Sequence, residues 1–257
     1  MRDMKKTLHD GKTAFGIFSA FADPAAVEIA AGCGCDFLIL DGEHGQADER
    51  AIFTQIARLE KYDTVKIVRI PAFRAEYIKR MLDFGADGIL CPMIETAAQA
   101  EEFSKSLRYP PYGSRGMTGI FRASDYNNNF DEYYSHAAEN VFAAVQIESA
   151  KGVENVEEIA AVDGIDMLFI GHSDLTIDYG CYKDFSNPQI IAAEKKIIAA
   201  ARNNNKSVGM VLRAGMDIRE YTGRGVDFIC LGTDIGIMQN ALKEKINFSS
   251  NILKNNQ

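Results

Sequence analysis

The chain is short of most features that would mark a specialised class. It has five cysteines, Cys33, Cys35, Cys91, Cys181 and Cys230, an odd number at irregular spacing that forms neither a disulfide framework nor a zinc motif. Cys33 and Cys35 stand too close together for a two-cysteine zinc knuckle. A reducing cytoplasm is the expected location. No apolar run reaches membrane-spanning length, and the opening MRDMKKTLHD has no signal-peptide core. Basic clusters are missing too, and with a net charge of −8 this argues against a nucleic-acid surface. An anionic substrate stays open, because local charge can oppose the total. No linker-like stretch divides the 257 residues, so one domain over 1–257 is expected.

What the chain does have is repetition. Eight apolar runs read as buried strands: 14–20, 36–41, 65–70, 88–93, 141–148, 166–171, 207–212 and 227–232. Helix-period stretches lie between them, such as DPAAVEIAAGCG and AEYIKRMLDFGA. Gly-Ala-Asp or Gly-Val-Asp precedes a strand twice, in GADGIL and GVDFIC, with a shorter cousin in CGCDFL. There glycine ends a helix as a left-handed cap and aspartate starts the turn into the strand. Eight alternating units in about 250 residues predict an α/β fold, a single TIM (β/α)8 barrel. The long interruption at 94–140 reads as a functional or interface segment. Its Tyr/Asn-rich part from Tyr126 to Tyr134 lacks basic residues and reads as a loop or subunit contact.

In such barrels the working groups sit at the carboxyl ends of the strands. Asp41-Gly42-Glu43-His44-Gly45 follows the second, Arg69 ends the third, Gln146 and Glu148 end the fifth, and Asp174 follows the sixth. Glu148 and Asp174 lie 26 residues apart, about one strand-helix-strand unit, so a parallel sheet carries both acids to one edge. A hard divalent cation takes one or two carboxylates and leaves other positions to water and substrate. Gln146 and Glu148 share a face by strand alternation, whereas Arg69 and Lys66 do not. With Arg69 inward, Lys66 points out, which counts against a Schiff-base aldolase. The plainer roles are helix capping for Glu148 and Asp174, a buried hydrogen-bonded His44, and structural pairing of Arg69 with Asp41 or Glu148.

The motifs LILDGEHG (38–45), VRIP (68–71), IKRMLDFGADGILCPMIETAAQA (78–100), RYPPYGSRG (108–116), VQIES (145–149) and FIGHSDL (169–175) together resemble the HpcH/HpaI-type class II pyruvate aldolases, in family order and over nearly the whole chain. The resemblance implies a hexameric TIM barrel that cleaves 4-hydroxy-2-oxo acids, of the 4-hydroxy-2-oxoheptanedioate or 2-dehydro-3-deoxyglucarate type, to pyruvate and an aldehyde. It implies a divalent metal, Mg2+, Mn2+ or Co2+, on Glu148 and Asp174. Arg69 would meet the pyruvate carboxylate and carbonyl oxygen, and His44 would be the acid/base group. Asp41 and Asp83 would support them, with Asp83 paired to His44. Gln146, Ser173 and Leu212 would line the substrate pocket.

Three positions depart from the family pattern. His172 stands where proline is common, Phe18 where tryptophan is common, and Arg213 where alanine is usual. An added cation at Arg213 would favour a dicarboxylate or an acidic aldehyde fragment. Alternatives at this stage are condensation or decarboxylation of an oxo acid such as oxaloacetate, a non-catalytic barrel binding metal and oxo acid, and a phosphate-binding barrel. For the last, Gly215 and Gly232 to Gly236 supply the glycines after strands seven and eight.

Overall fold

The computed structural model describes residues 3–213 and 215–255. Its elements run α1 (Met4–His9), β1 (Ala14–Ser19), α2 (Pro24–Gly32), β2 (Phe37–Asp41), α3 (Glu49–Leu59), β3 (Val65–Arg69), α4 (Ala75–Phe84), β4 (Gly88–Cys91) and α5 (Ala97–Ser106). A 3-10 turn at Arg122–Asn127 leads to α6 (Phe130–Asn140), β5 (Phe142–Ile147), α7 (Ala150–Glu154), α8 (Val156–Ala160), β6 (Met167–Ile170) and α9 (His172–Asp178). The chain continues through α10 (Pro188–Asn203), β7 (Ser207–Val211), α11 (Ile218–Arg224), β8 (Phe228–Thr233) and α12 (Asp234–Asn255). All eight strands are parallel, each pairs with its sequence neighbour, and β8 closes onto β1. The eight expected strands are therefore present in a closed barrel, trimmed by one or two residues at most ends.

Side-chain alternation divides the core in two. Inside the barrel lie Phe18, Phe37, Ile39, Val65, Ile67, Leu90, Phe142, Phe169 and Phe228, with Met4 and Leu8 of α1 packed beneath them. Between barrel and helices lie Leu38, Leu40, Val68, Ile89, Val145, Ile147 and Leu168. Phe37 and Phe228 stack at 3.6 Å between centroids, and Gly16 leaves room for them, since a Cβ there would strike the Phe37 carbonyl and ring. Burying each such ring contributes roughly 1.5–3 kcal/mol. On β3 the interior residues are Val65, Ile67 and Arg69, while Lys66, the one lysine in the eight strands, is buried outside against Asp87 at 3.1 Å.

The Gly-Ala/Val-Asp turns do what their sequence predicts, and more. Gly85 and Gly225 end α4 and α11 at φ +101° and +96°. The aspartate that follows reaches sideways: Asp87 accepts from the Lys66 amide at 2.8 Å and Asp227 from the Val208 amide at 2.9 Å. Asp36 and Asp166 do the same for Phe15 and Ala143, both at 2.8 Å. Each carboxylate thus fastens the start of the preceding strand, and the amino-terminal end of the barrel is stitched together. The opposite end is left for the site.

Candidate active site

Arg69 sits at the carboxyl mouth with its fork held from two sides. Asp41 takes Nε at 2.9 Å and Nη2 at 2.7 Å, and Glu43 takes Nη1 at 2.9 Å. The Phe18 ring lies 4.7 Å from the guanidinium carbon, so the aromatic departure on β1 supports this cation. Asp41 Oδ1 also accepts the Glu43 and His44 amides at 3.1 and 3.2 Å. Burial alone would raise the Asp41 carboxyl, but Arg69 and these amides outweigh it and hold it below its usual value. Glu43 goes the other way, raised mainly by burial against the pull of Arg69 and His44. The pairing of Arg69 with Asp41 is thus real, and it fixes the arginine at the mouth. His44 is no buried histidine: its side chain is 69% exposed, with Nε2 3.8 Å from Glu43 Oε2.

Glu148 lies across the mouth and is only 4% exposed. Its Oε1 accepts the Met93 amide at 2.8 Å, and Gln146 Nε2 donates to Oε2. Met93 is held at φ +54°, a conformation costing a non-glycine residue on the order of 1 kcal/mol, in a loop whose amide serves the carboxylate. Gly171 is required here, because a Cβ would collide with Glu148 Oε2. Among the described residues no lysine or arginine pairs with Glu148. Burial pushes it up to about 7; the Met93 amide opposes this, and the negative charges of Asp174 and Glu43 add to it. The capping role falls elsewhere: Ser149 caps α7 by accepting the Gly152 amide, and Gly171 caps α9. Asp174 lies exposed in the first turn of α9, where an acid also suits the helix dipole.

The residues fit a divalent cation. Glu148 and Asp174 offer two carboxylates, with the charge of Asp174 opposing ionisation of Glu148, and among the described residues the buried Gln146 Oε1 has no hydrogen-bond partner. Such a pair suits a metal that completes its shell with water and substrate. No group of three or more His, Cys, Asp or Glu is arranged around a metal position among the described residues.

Ser173 is exposed beside Asp174, and Leu212 is half-buried on the β7 side, its amide donating to the Cys230 carbonyl at 2.7 Å. Asp83 has another partner than His44: it lies on α4 and binds Arg115 Nη2 at 2.7 Å, with Arg115 also meeting Tyr133. Arg213 is not the open rim cation expected of it. Its Nη2 binds Glu194 at 3.1 Å, its amide and Nε donate to Tyr221, and its guanidinium packs on Phe185. His172 is buried and meets the same Glu194 carboxylate at 3.0 Å.

Sequence reasoning missed Glu43 as the second anchor of Arg69, the Met93 amide, Glu194 and Asp234. Glu194 left a signal, since it falls on the stripe Ile190, Ala193, Ile197, Ala201 that α10 buries. Asp234, directly after β8, accepts from the Ser19 hydroxyl at 3.0 Å and the Ala20 amide at 2.9 Å. That puts an acid where the phosphate-barrel alternative needs anion-binding amides.

Acids and a clamped arginine stand at the mouth, and the one strand lysine, Lys66, is kept outside, an arrangement that counts against Schiff-base chemistry. The sequence profile described as HpcH/HpaI aldolase/citrate lyase matches residues 14–241, and the chain belongs to that family. It is 36% identical over 241 residues to a hydroxypyruvate/pyruvate aldolase of Pseudomonas aeruginosa, covering 93% of this chain and 90% of the relative. A 5-keto-4-deoxy-D-glucarate aldolase of Klebsiella pneumoniae subsp. pneumoniae is 35% identical, with 93% of each chain covered. Among solved structures, an HpcH/HpaI aldolase/citrate lyase family protein from Burkholderia cenocepacia J2315 superposes with a TM-score of 0.93 at 30% identity, covering 97% of this chain and all of that one. The chain is an aldolase-type carbon–carbon lyase.

Proposed function

We propose that this protein is a divalent-metal-dependent aldolase that reversibly cleaves a 4-hydroxy-2-oxo acid, of the 4-hydroxy-2-oxoheptanedioate or 2-dehydro-3-deoxyglucarate type, to pyruvate and an aldehyde. The observation that carries this reading is Glu148: buried, with no cationic partner among the described residues, and facing Asp174 across the mouth that holds Arg69. Glu148 and Asp174 would hold Mg2+, Mn2+ or Co2+. When bound, the cation supplies Lewis-acid stabilisation of the negative charge that develops on the pyruvate oxygen as C3–C4 breaks. Arg69 binds the carboxylate and adds a fixed positive fork beside that oxygen, and Asp41 and Glu43 keep the fork from rotating away. His44, exposed at the mouth, takes the proton of the 4-hydroxyl during cleavage and returns it in condensation. Gln146, with its free buried oxygen, lines the pyruvate half, and Ser173 and Leu212 form its rim. Asp83, expected beside His44, instead pairs with Arg115 at the end of α4 that turns into the start of β4, away from this mouth.

One barrel domain suffices for this chemistry, in the cytoplasm, as a homo-oligomer with a hexamer the expected form. Supporting assembly, α12 leaves Ile237, Met238, Leu242, Ile246, Phe248 and Leu253 exposed on a helix whose first residue is anchored to β1. No helix among the described residues is long and apolar enough to cross a membrane.

The test is deuterium exchange into the pyruvate methyl group, followed by NMR in D2O with Mg2+ or Mn2+ and after chelation. Exchange that requires the metal is the expected result. A folded protein that catalyses no exchange with any divalent ion overturns the assignment.

A further inference from the structure

Glu194 is a buried acid that the proposed chemistry does not use. It lies in the middle of α10, 4% exposed, on the helix face turned toward the barrel. Three donors from three separate segments converge on its carboxylate. His172 Nε2 lies 3.0 Å from Oε2, Arg213 Nη2 3.1 Å from Oε2, and Arg224 Nη1 2.7 Å from Oε1. Phe185, between α9 and α10, packs on the His172 ring at 6.3 Å and on Arg213 at 5.4 Å. The network therefore joins the start of α9, the segment after β7, the end of α11 and the middle of α10.

Where the network attaches matters most. Helix α9 has only seven residues, and its N-cap, Gly171, provides no side-chain cap. Glycine is demanded there by Glu148, and glycine leaves the entry to the helix conformationally loose. His172 is the first helical residue and Asp174 the third. His172 ties this turn to α10 through Glu194, while Leu175 packs into the core and the Thr176 hydroxyl donates to the Ser173 carbonyl at 2.8 Å.

We propose that Glu194 is a positioning residue: by holding His172 it fixes the first turn of α9, and so aims the Asp174 carboxylate toward Glu148. This rests on Glu148 and Asp174 being the metal pair proposed above. Arg213 and Arg224 hold the Glu194 carboxylate in turn, so the arginine at position 213 serves the metal pair and not the aldehyde fragment.

The test is Mn2+ binding, read from the EPR signal of free Mn2+, with thermal melts in parallel. Wild type should bind, and Glu194→Gln should bind about tenfold or more weakly, in the range typical for residues supporting a metal ligand. The double variant Glu194→Gln/His172→Pro should recover most of the affinity. Proline at the first helical position presets φ and replaces the lost tether without restoring any charge. Arg213 stays without Glu194 in the double variant, so an electrostatic effect of that arginine would not be relieved this way, and Glu194→Gln/His172→Ala, which removes the imidazole without presetting φ, should stay weak. If Glu194→Gln does not fold, His172→Ala, which leaves Glu194 its two arginines, carries the same comparison with His172→Pro. A folded variant with wild-type Mn2+ affinity, or a loss that proline does not recover, overturns the positioning role alone. Wild type that binds no Mn2+ overturns the metal pair and this role together.

Discussion

At the amino-terminal end of the barrel, Asp87 accepts the Lys66 amide and pairs with Lys66 Nζ at 3.1 Å; at the carboxyl end, Glu148 meets two amides and no cation among the described residues. Asp166 with Lys5 at 3.1 Å and Asp227 with Arg202 at 2.8 Å repeat the first arrangement. Burial raises the carboxyl pKa at all four positions, so depth does not separate them. Compensation does. The lower acids are saturated by backbone and by a neighbouring base, and they behave as fasteners. Glu148 is ordered by amides that fix its direction, while its nearest charges, Asp174 and Glu43, are negative. A barrel can thus use carboxylates at both ends, and the partners decide which acids hold the structure and which are available for chemistry.

Substitutions should divide along the same line. The largest effect is expected at the mouth: Glu148→Ala and Asp174→Ala should each lower aldol turnover by about a thousandfold or more and abolish Mn2+ binding, with thermal stability kept. Asp87→Ala should do the reverse, costing about 3 kcal/mol in denaturant melts by removing the buried ion pair with Lys66 and the bond from its amide, at unchanged kcat/KM. Reduced kcat/KM in that variant would blur the distinction between the two ends.

Glu148 also gives the chelated protein a pH signature. Its folded-state value of about 7 lies above the ordinary 4.5, so between those values the native chain holds a proton that the unfolded chain has released. Stability in chelator should then fall as pH rises from 4.5 to 7, by about 3 kcal/mol, and level off above. Glu148→Gln should flatten that slope; an unchanged slope would assign it to other groups. The smallest effect is expected from Arg69→Lys, which keeps the charge but cannot span Asp41 and Glu43 together. A loss of tens of fold in kcat/KM, with Mn2+ affinity unchanged, is expected.

Much of this was legible in the sequence. Eight apolar runs with polar ends gave the barrel, and period-two alternation put Arg69, Gln146 and Glu148 inside and Lys66 outside. Asp41, Arg69, Glu148 and Asp174 meet at one mouth because each follows or ends a strand. What stayed hidden depends on contacts without local periodicity. The Met93 amide serves Glu148 through a positive φ that no pattern announces. Asp83 faces Arg115 because the 108–116 loop folds back over α4. Arg213 looked like a rim cation because Glu194, its partner, lies 19 residues upstream on another element.

The parity of β3 has one more consequence. This strand carries two cations, Lys66 and Arg69, three positions apart, and the pleat shows the interior only one of them. A one-residue slip in pairing would exchange them, withdrawing a permanently charged, planar anion-binding group and presenting a primary amine able to attack a carbonyl. Two unrelated ways of stabilising a carbanion, one electrostatic and one covalent, thus stand a single register step apart on the same five residues. The hydrogen-bonded ladder with β2, running from Phe37 opposite Val65 to Asp41 opposite Arg69, selects between them.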